Sequence, residues 1–253
     1  MSSPVTRIGS PTSDVSRFVM RGRDVLKEII GTMSFAEAFY FIIVGKDLAR
    51  EKLPVFDACM IILMDHGLTP TAMVARLVAD SLPDQPQVAV AAGTMMVGDK
   101  FVGTMAGMGA LLEQGAASAK DARAWAREVA ESASKNKRRL PGFGHPYYHP
   151  TDPRTERLVE IARQHGAVGR YITLVSALSE ELDRVSGKRI TLNVTGALGA
   201  ILCELGFPAA AMRGLAVVSR SAGLVAHTVE EARNSISPAL MQFAGEIEYR
   251  DPE

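Results

Sequence analysis

The chain has 253 residues, with 28 Lys plus Arg balancing 28 Asp plus Glu, and a net charge of zero argues against nucleic acid as the main partner. Apolar residues make up 47%, which suits one sizeable core and argues against disorder. The most apolar stretch, 88–97, stops at Asp99 and Lys100, well short of the about 20 residues that span a bilayer, so no membrane partner is expected.

Residues 1–20 carry Arg7, Asp14 and Arg17 and no apolar core segment, so no signal peptide is read there and the cytoplasm is the expected compartment. Residues 14–30 place Val15, Phe18, Val19, Val25 and Ile29 at helical spacing, with Gly31 as a stop. Ser34-Phe-Ala-Glu37 is a capping box opening a helix over 35–44, and Gly45 closes it. A long apolar helix over 53–64 reaches Asp65-His66-Gly67. Thr69-Pro70 starts another, with proline at the first helical position. Residues 87–113 are apolar on nearly all sides and studded with Gly93, Gly98, Gly103, Gly107 and Gly109. That pattern predicts burial against a closely approaching helix, with a break near Gly98. An amphipathic helix over 118–134 contains Trp125.

Residues 135–154 lose the helical period and hold a basic run, four prolines and two histidines, the pattern of a functional loop. Asp152-Pro153 opens the next helix, to 164. Helices over 170–185, 192–205, 208–224 and 227–243 complete an all-α fold. Cys59 and Cys203 lie in apolar runs and read as small core residues, with no metal site predicted.

Chemistry concentrates in Pro141-Gly-Phe-Gly-His-Pro-Tyr-Tyr-His-Pro-Thr-Asp-Pro-Arg154. Gly142 and Gly144 let backbone approach a ligand, and His145 offers an imidazole that donates a hydrogen bond or carries a proton. Arg154, in the first turn of a helix, can clamp a carboxylate with two parallel bonds. The run Lys135-Asn-Lys137-Arg138-Arg139 suits phosphates entering the loop, though a charge run also makes a solvated face. His66 at a helix end can bind a ligand or cap carbonyls. Arg220, between apolar turns, implies an acidic partner or a bound carboxylate. His227 reads as a helix-terminal histidine.

In this order the segments ArgGlyArgAspVal (21–25), SerPheAlaGluAla (34–38), AspHisGly (65–67), ProGlyPheGlyHis (141–145), AspProArg (152–154), AsnVal (193–194) and SerArgSerAlaGlyLeuValAlaHis (219–227) resemble the citrate synthase superfamily. The short length and ValGlyAspLysPheValGly (97–103) look more like its citryl-CoA lyase branch, which includes the lyase module of ATP-citrate lyase. The resemblance implies an all-helical homodimer, possibly a higher oligomer, of one domain per chain. Its large lobe would cover about 1–134 and 208–253, and its small lobe about 135–207, with 87–113 in the dimer core. It implies that His66, His145, Arg154 and Arg220 hold oxaloacetate or citryl groups. Gly142, Phe143, Gly144, Lys137 and Arg138 would bind coenzyme A as the thioester substrate.

Four positions depart from the family pattern. Thr195 stands where the family has its catalytic aspartate, and threonine cannot exchange a proton near neutral pH. Phe101 stands at the synthases' second catalytic histidine, as in lyase-like members. Ser237 replaces an arginine supplied across the dimer, and His149 stands where many relatives carry a basic residue. Two functions follow: a lyase cleaving citryl-CoA, or a related 3-hydroxyacyl-CoA, to oxaloacetate and acetyl-CoA, with His145, His66 and Thr195 at the chemistry; or a catalytically weak paralogue that binds CoA or a di- or tricarboxylate as sensor or partner subunit.

Overall fold

The computed structural model describes residues 4–98, 102–118 and 120–252. The Phe101 expectation lies outside the described residues. Eleven α-helices are described: α1 Phe35–Val44, α2 Leu53–Met64, α3 Pro70–Ser81, α4 Pro86–Met95, α5 Thr104–Ala117, α6 Ala122–Lys135, α7 Pro153–Gln164, α8 Arg170–Ser186, α9 Val194–Glu204, α10 Ala209–Glu231 and α11 Ser237–Gly245. The all-α expectation holds. No single described helix is long and apolar enough to cross a membrane.

The termini follow local chemistry. The Ser34–Glu37 capping box is present: the Ser34 hydroxyl accepts from Glu37 N–H at 3.2 Å and the Glu37 carboxylate from Ser34 N–H at 2.7 Å. Gly45 closes α1 at φ 78°. The long segment over 87–113 breaks around Gly98 as predicted, between α4 and α5.

The expected helix over 14–30 is not there. Instead Val19–Met20 (β1) pairs antiparallel with Arg23–Asp24 (β2), followed by a π-helical turn Val25–Ile29. The reason is local. Arg21 and Gly22 both take positive φ, 51° and 86°, as a two-residue hairpin turn requires. Arg21 then donates from Nε to Ile42 O at 2.9 Å and from Nη2 to Ile43 O at 3.2 Å, at the end of α1. The apolar period of 15–19 therefore serves no helix face, and Val15 is fully exposed. A second correction concerns 208–243. The helix does not stop at Leu224 but runs through His227 to Glu231, because no Gly or Pro interrupts 224–231.

The chain divides into two compact units, Met1–Cys59 with Met105–Met212, and Met60–Thr104 with Arg213–Glu253. This division follows packing; the lobe limits drawn from the resemblance remain an expectation. In the first unit, α6 and α8 enclose Trp125, Ala130, Leu174, Leu178 and Leu182 with Met108 and Leu112 of α5. A separate aromatic group joins Phe39, Tyr40, Phe56 and Phe207, and Tyr40 donates to Leu205 O at 2.6 Å.

In the second unit α3 packs on α4. A Cβ on Gly93 would sit 2.7 Å from both Leu224 and the Thr71 carbonyl. This glycine thus brings helices of its own chain together. Glu231, at the end of α10, gathers Arg76 Nε, the Ser235 and Ser237 hydroxyls and the Ile236 N–H, and so builds the turn into α11. Ser237 is buried in this arrangement. Burial alone would push the Glu231 carboxyl up, but these donors outweigh it and hold it at about 2. A depressed carboxylate contributes stability that is complete above the unfolded value and lost as pH falls toward the folded one. Glu231→Gln is therefore expected to lower the thermal midpoint at pH 7, with the difference from wild type shrinking between pH 4.5 and 2. Parallel melting curves across that range check it; a constant difference refutes it.

Candidate active site

Residues 141–145 are held against the start of α9 by backbone geometry. Gly142 and Gly144 adopt φ of 78° and 84°, a region closed to most side chains. A Cβ on Gly142 would also lie 2.5 Å from Gly196 Cα. Phe143 bridges Leu192 in antiparallel fashion. Gly144 N–H donates to Thr191 O at 2.7 Å, and Asn193 N–H to Gly142 O at 3.0 Å. Asn193 also caps α9. Its Oδ1 accepts from Thr195 N, Thr195 Oγ1 and Gly196 N, while its Nδ2 donates to Gly144 O at 2.8 Å. One side chain therefore fixes both the helix start and the carbonyl just before His145.

His145 Nδ1 accepts from Tyr147 N–H at 3.1 Å and Tyr148 N–H at 3.0 Å. Two donors on Nδ1 leave the proton of the neutral ring on Nε2. Arg154 Nη2 lies 3.1 Å from that same Nε2. Two donors, His145 Nε2 and Arg154 Nη2, therefore lie next to each other, and an oxygen anion reached by both would satisfy them. Burial lowers the His145 pKa, and the Arg154 guanidinium lowers it further, so the ring stays neutral at pH 7.

Arg154 is itself held from behind. The Asp152 carboxylate takes its Nε at 2.9 Å and Nη2 at 2.8 Å, and the Tyr148 ring lies 4.7 Å from the guanidinium carbon. Burial alone would raise the Asp152 pKa; the bonds from Arg154 and Val194 N–H outweigh it and keep the carboxylate charged. The parallel clamp expected of Arg154 is thus taken on its Nε edge, and only the Nη1–Nη2 edge is left for a ligand.

Beside His145 opens a groove of about 720 Å³, formed by the end of α6, the loop after it, and residues 186–191. Lys137, Arg138, Arg139, Lys188 and Arg189 line it, with His149, and none of its lining residues is acidic. Lys137 and Arg138 were expected here. Lys188, Arg189, Asp152 and Asn193 escaped the sequence reading. The first two form a basic pair just past the Gly187 helix stop, a signal that was available; Asp152 read only as a helix start, and Asn193 only as part of the AsnVal segment.

His66 and Arg220 lie in the second unit. His66 Nε2 is 2.6 Å from Ile62 O, as a helix-capping histidine would be. Arg220 is 2% exposed, and its Nε and Nη1 are buried without a hydrogen-bond partner. Burial lowers its pKa, with Asp65 opposing. His227 is not helix-terminal: it sits within α10, with Nε2 2.8 Å from Asp65 Oδ1.

Residues 14–239 match the model described as citrate synthase, C-terminal domain. The chain belongs to the citrate synthase family. Among solved structures of similar fold, citryl-CoA lyase from Hydrogenobacter thermophilus superposes with a TM-score of 0.86 at 31% identity, over 98% of this chain and 95% of that one. ATP citrate lyase from Methanothrix soehngenii, solved with citrate and coenzyme A, gives 0.80 at 18% identity, over 100% of this chain and 42% of the other; at that identity it shows the fold alone. Citrate synthase of Synechocystis is 27% identical over 203 residues, 79% of this chain and 50% of its own length. This family member spans about half the length of the curated relatives it matches.

Proposed function

We propose that this protein is a CoA-thioester carbon–carbon lyase that cleaves citryl-CoA, or a related 3-hydroxyacyl-CoA, to oxaloacetate and acetyl-CoA. The observation that carries the reading is the pair of donors from His145 and Arg154, 3.1 Å apart, beside a groove lined by five cations and no acidic residue. The likeness in fold and length to a citryl-CoA lyase supports it. The groove takes the CoA phosphates, at Lys137 and Arg138 from one side and Lys188 and Arg189 from the other. The Gly142-Phe143-Gly144 backbone is mostly engaged with 191–193, so it shapes the wall along which the thioester lies. His145 donates to the oxygen that becomes the ketone. Arg154 holds a carboxylate and fixes orientation, a large share of such catalysis; Arg220 and His66 are further carboxylate ligands that the family resemblance implies. The proton of the tertiary hydroxyl passes to water on the Thr195 oxygen or to His66 as the C–C bond breaks, and the same group delivers it to the methylene carbon of the acetyl-CoA enolate, so that it ends in the acetyl methyl group. A homodimer belongs to the same proposal, checked by sedimentation.

A second reading has its own support. The Thr195 hydroxyl donates to Asn193 Oδ1 at 2.7 Å, and Ser237 is bonded to Glu231, so neither offers the chemistry of the family's usual residue. A weak paralogue that binds CoA or a carboxylate as sensor or partner subunit fits those two positions. Incubation with citryl-CoA, following thioester loss and oxaloacetate release, separates the two. Turnover supports the lyase; saturable CoA binding without turnover refutes it in favour of the second. In either case Lys188→Ala/Arg189→Ala is expected to weaken CoA binding by about a hundredfold, since each tenfold step is about 1.4 kcal/mol and each of the two charge-assisted phosphate contacts is of that order. Titration calorimetry checks this, and unchanged affinity removes the pair from the site.

A further inference from the structure

We infer that Asp152 is a positioning residue, whose buried carboxylate sets the direction of the Arg154 guanidinium and ties it to the first turn of α9. The inference rests on the proposed role of Arg154 as a carboxylate ligand. Asp152 is 1% exposed. As an N-cap it needs a single bond, and Oδ1 supplies that bond from Arg154 N–H at 3.0 Å. The rest of its accepting capacity does something else. Oδ1 also takes Arg154 Nε, while Oδ2 takes Arg154 Nη2 and the Val194 N–H at 3.0 Å. Val194 opens α9, next to Asn193, whose amide holds the carbonyl preceding His145.

A guanidinium has two edges that can grip a carboxylate. Asp152 occupies one, and Tyr148 covers a face at 4.7 Å from its central carbon. The remaining edge is thereby aimed at His145 Nε2, 3.1 Å from Arg154 Nη2. Without the carboxylate behind it, the long Arg154 side chain would regain its rotamers, and orientation would have to be restored at each binding event. A cap that served stability alone would leave this edge indifferent.

Asp152→Asn tests it, because the amide keeps the shape and one capping oxygen while removing the charge. Oxaloacetate is the probe, bound to the full-length protein and followed by calorimetry. The expected result is a Kd raised about tenfold or more, with CoA affinity unchanged. In a cycle with Arg154→Ala, the double variant should bind no more weakly than Arg154→Ala alone, since the two act as one unit. Additive losses would overturn the inference. The Arg154 Nε–H resonance of the ligand-free protein gives an independent readout. It should be protected from exchange in wild type and lose that protection in Asp152→Asn; equal protection in both overturns positioning. If wild type binds no oxaloacetate and turns over no citryl-CoA, the proposed function fails, and this resonance still decides whether Asp152 directs Arg154.

Discussion

Turnover of citryl-CoA by His145→Ala is expected to fall by about 10²–10³-fold, the loss typical of removing one preorganised donor from an oxyanion site. Two backbone N–H groups occupy Nδ1, so the neutral ring presents its one proton on Nε2. In citryl-CoA cleavage the oxygen of the tertiary alcohol gains charge as its proton leaves, and it must be met by a donor already in place. Arg154 supplies a second donor 3.1 Å from the first. An oxygen within reach of both would satisfy the two donors at once. Removing the imidazole leaves one donor and an empty space that water enters. Oxaloacetate affinity should fall as well, while CoA affinity, which the proposed function assigns to the cations of the groove, should persist. Because burial and Arg154 lower the His145 pKa from its ordinary value, the His145-dependent part of the rate should stay level between pH 8 and 7. Steady-state kinetics across that range decide it: turnover equal to wild type in His145→Ala would remove the residue from the mechanism.

Arg220→Met should make the ligand-free protein more stable and, in the same stroke, abolish its stabilisation by oxaloacetate. A guanidinium 2% exposed, with Nε and Nη1 lacking a hydrogen-bond acceptor, carries a desolvation penalty that Asp65 offsets only in part. Replacing buried charge by an apolar side chain of similar length commonly stabilises by about 1–4 kcal/mol. At about 2 kcal/mol the melting midpoint would rise by roughly 4–8 °C for a chain of this size. The wild-type protein should gain the same order of stability when oxaloacetate supplies the missing acceptor, by simple linkage of binding to folding. Melting curves with and without oxaloacetate test both halves. A destabilised Arg220→Met protein that still responds to oxaloacetate would show that Arg220 is structural and holds no ligand.

Much of this fold could be read from local chemistry. The Ser34–Glu37 box, proline after Thr69 and Asp152-Pro153 each set a helix start within its own few residues, where a cap satisfies orphan N–H groups whatever lies elsewhere. The glycine–histidine loop stood out because no periodic pattern competes with two glycines and four prolines. The hairpin at 19–24 was not legible, since the apolar spacing of 15–19 mimics a helix and the Arg21-Gly22 turn is secured by carbonyls at the end of α1, about twenty residues away. The extent of α10 was misread for a related reason: His227 looks like a helix end until Asp65 is found beside it.

What the sequence by itself determined is which residues carry charge and donors, and that they sit on helix ends and one irregular loop. Only the tertiary structure decided which of their atoms are available. A bidentate arginine on paper became one with a single open edge once Asp152 closed the other. Lys188 and Arg189 joined Lys137 and Arg138 around one groove although about fifty residues separate them. Capping depends on neighbours in the chain and is written locally; hydrogen-bond capacity is finite and shared among groups that only packing brings together.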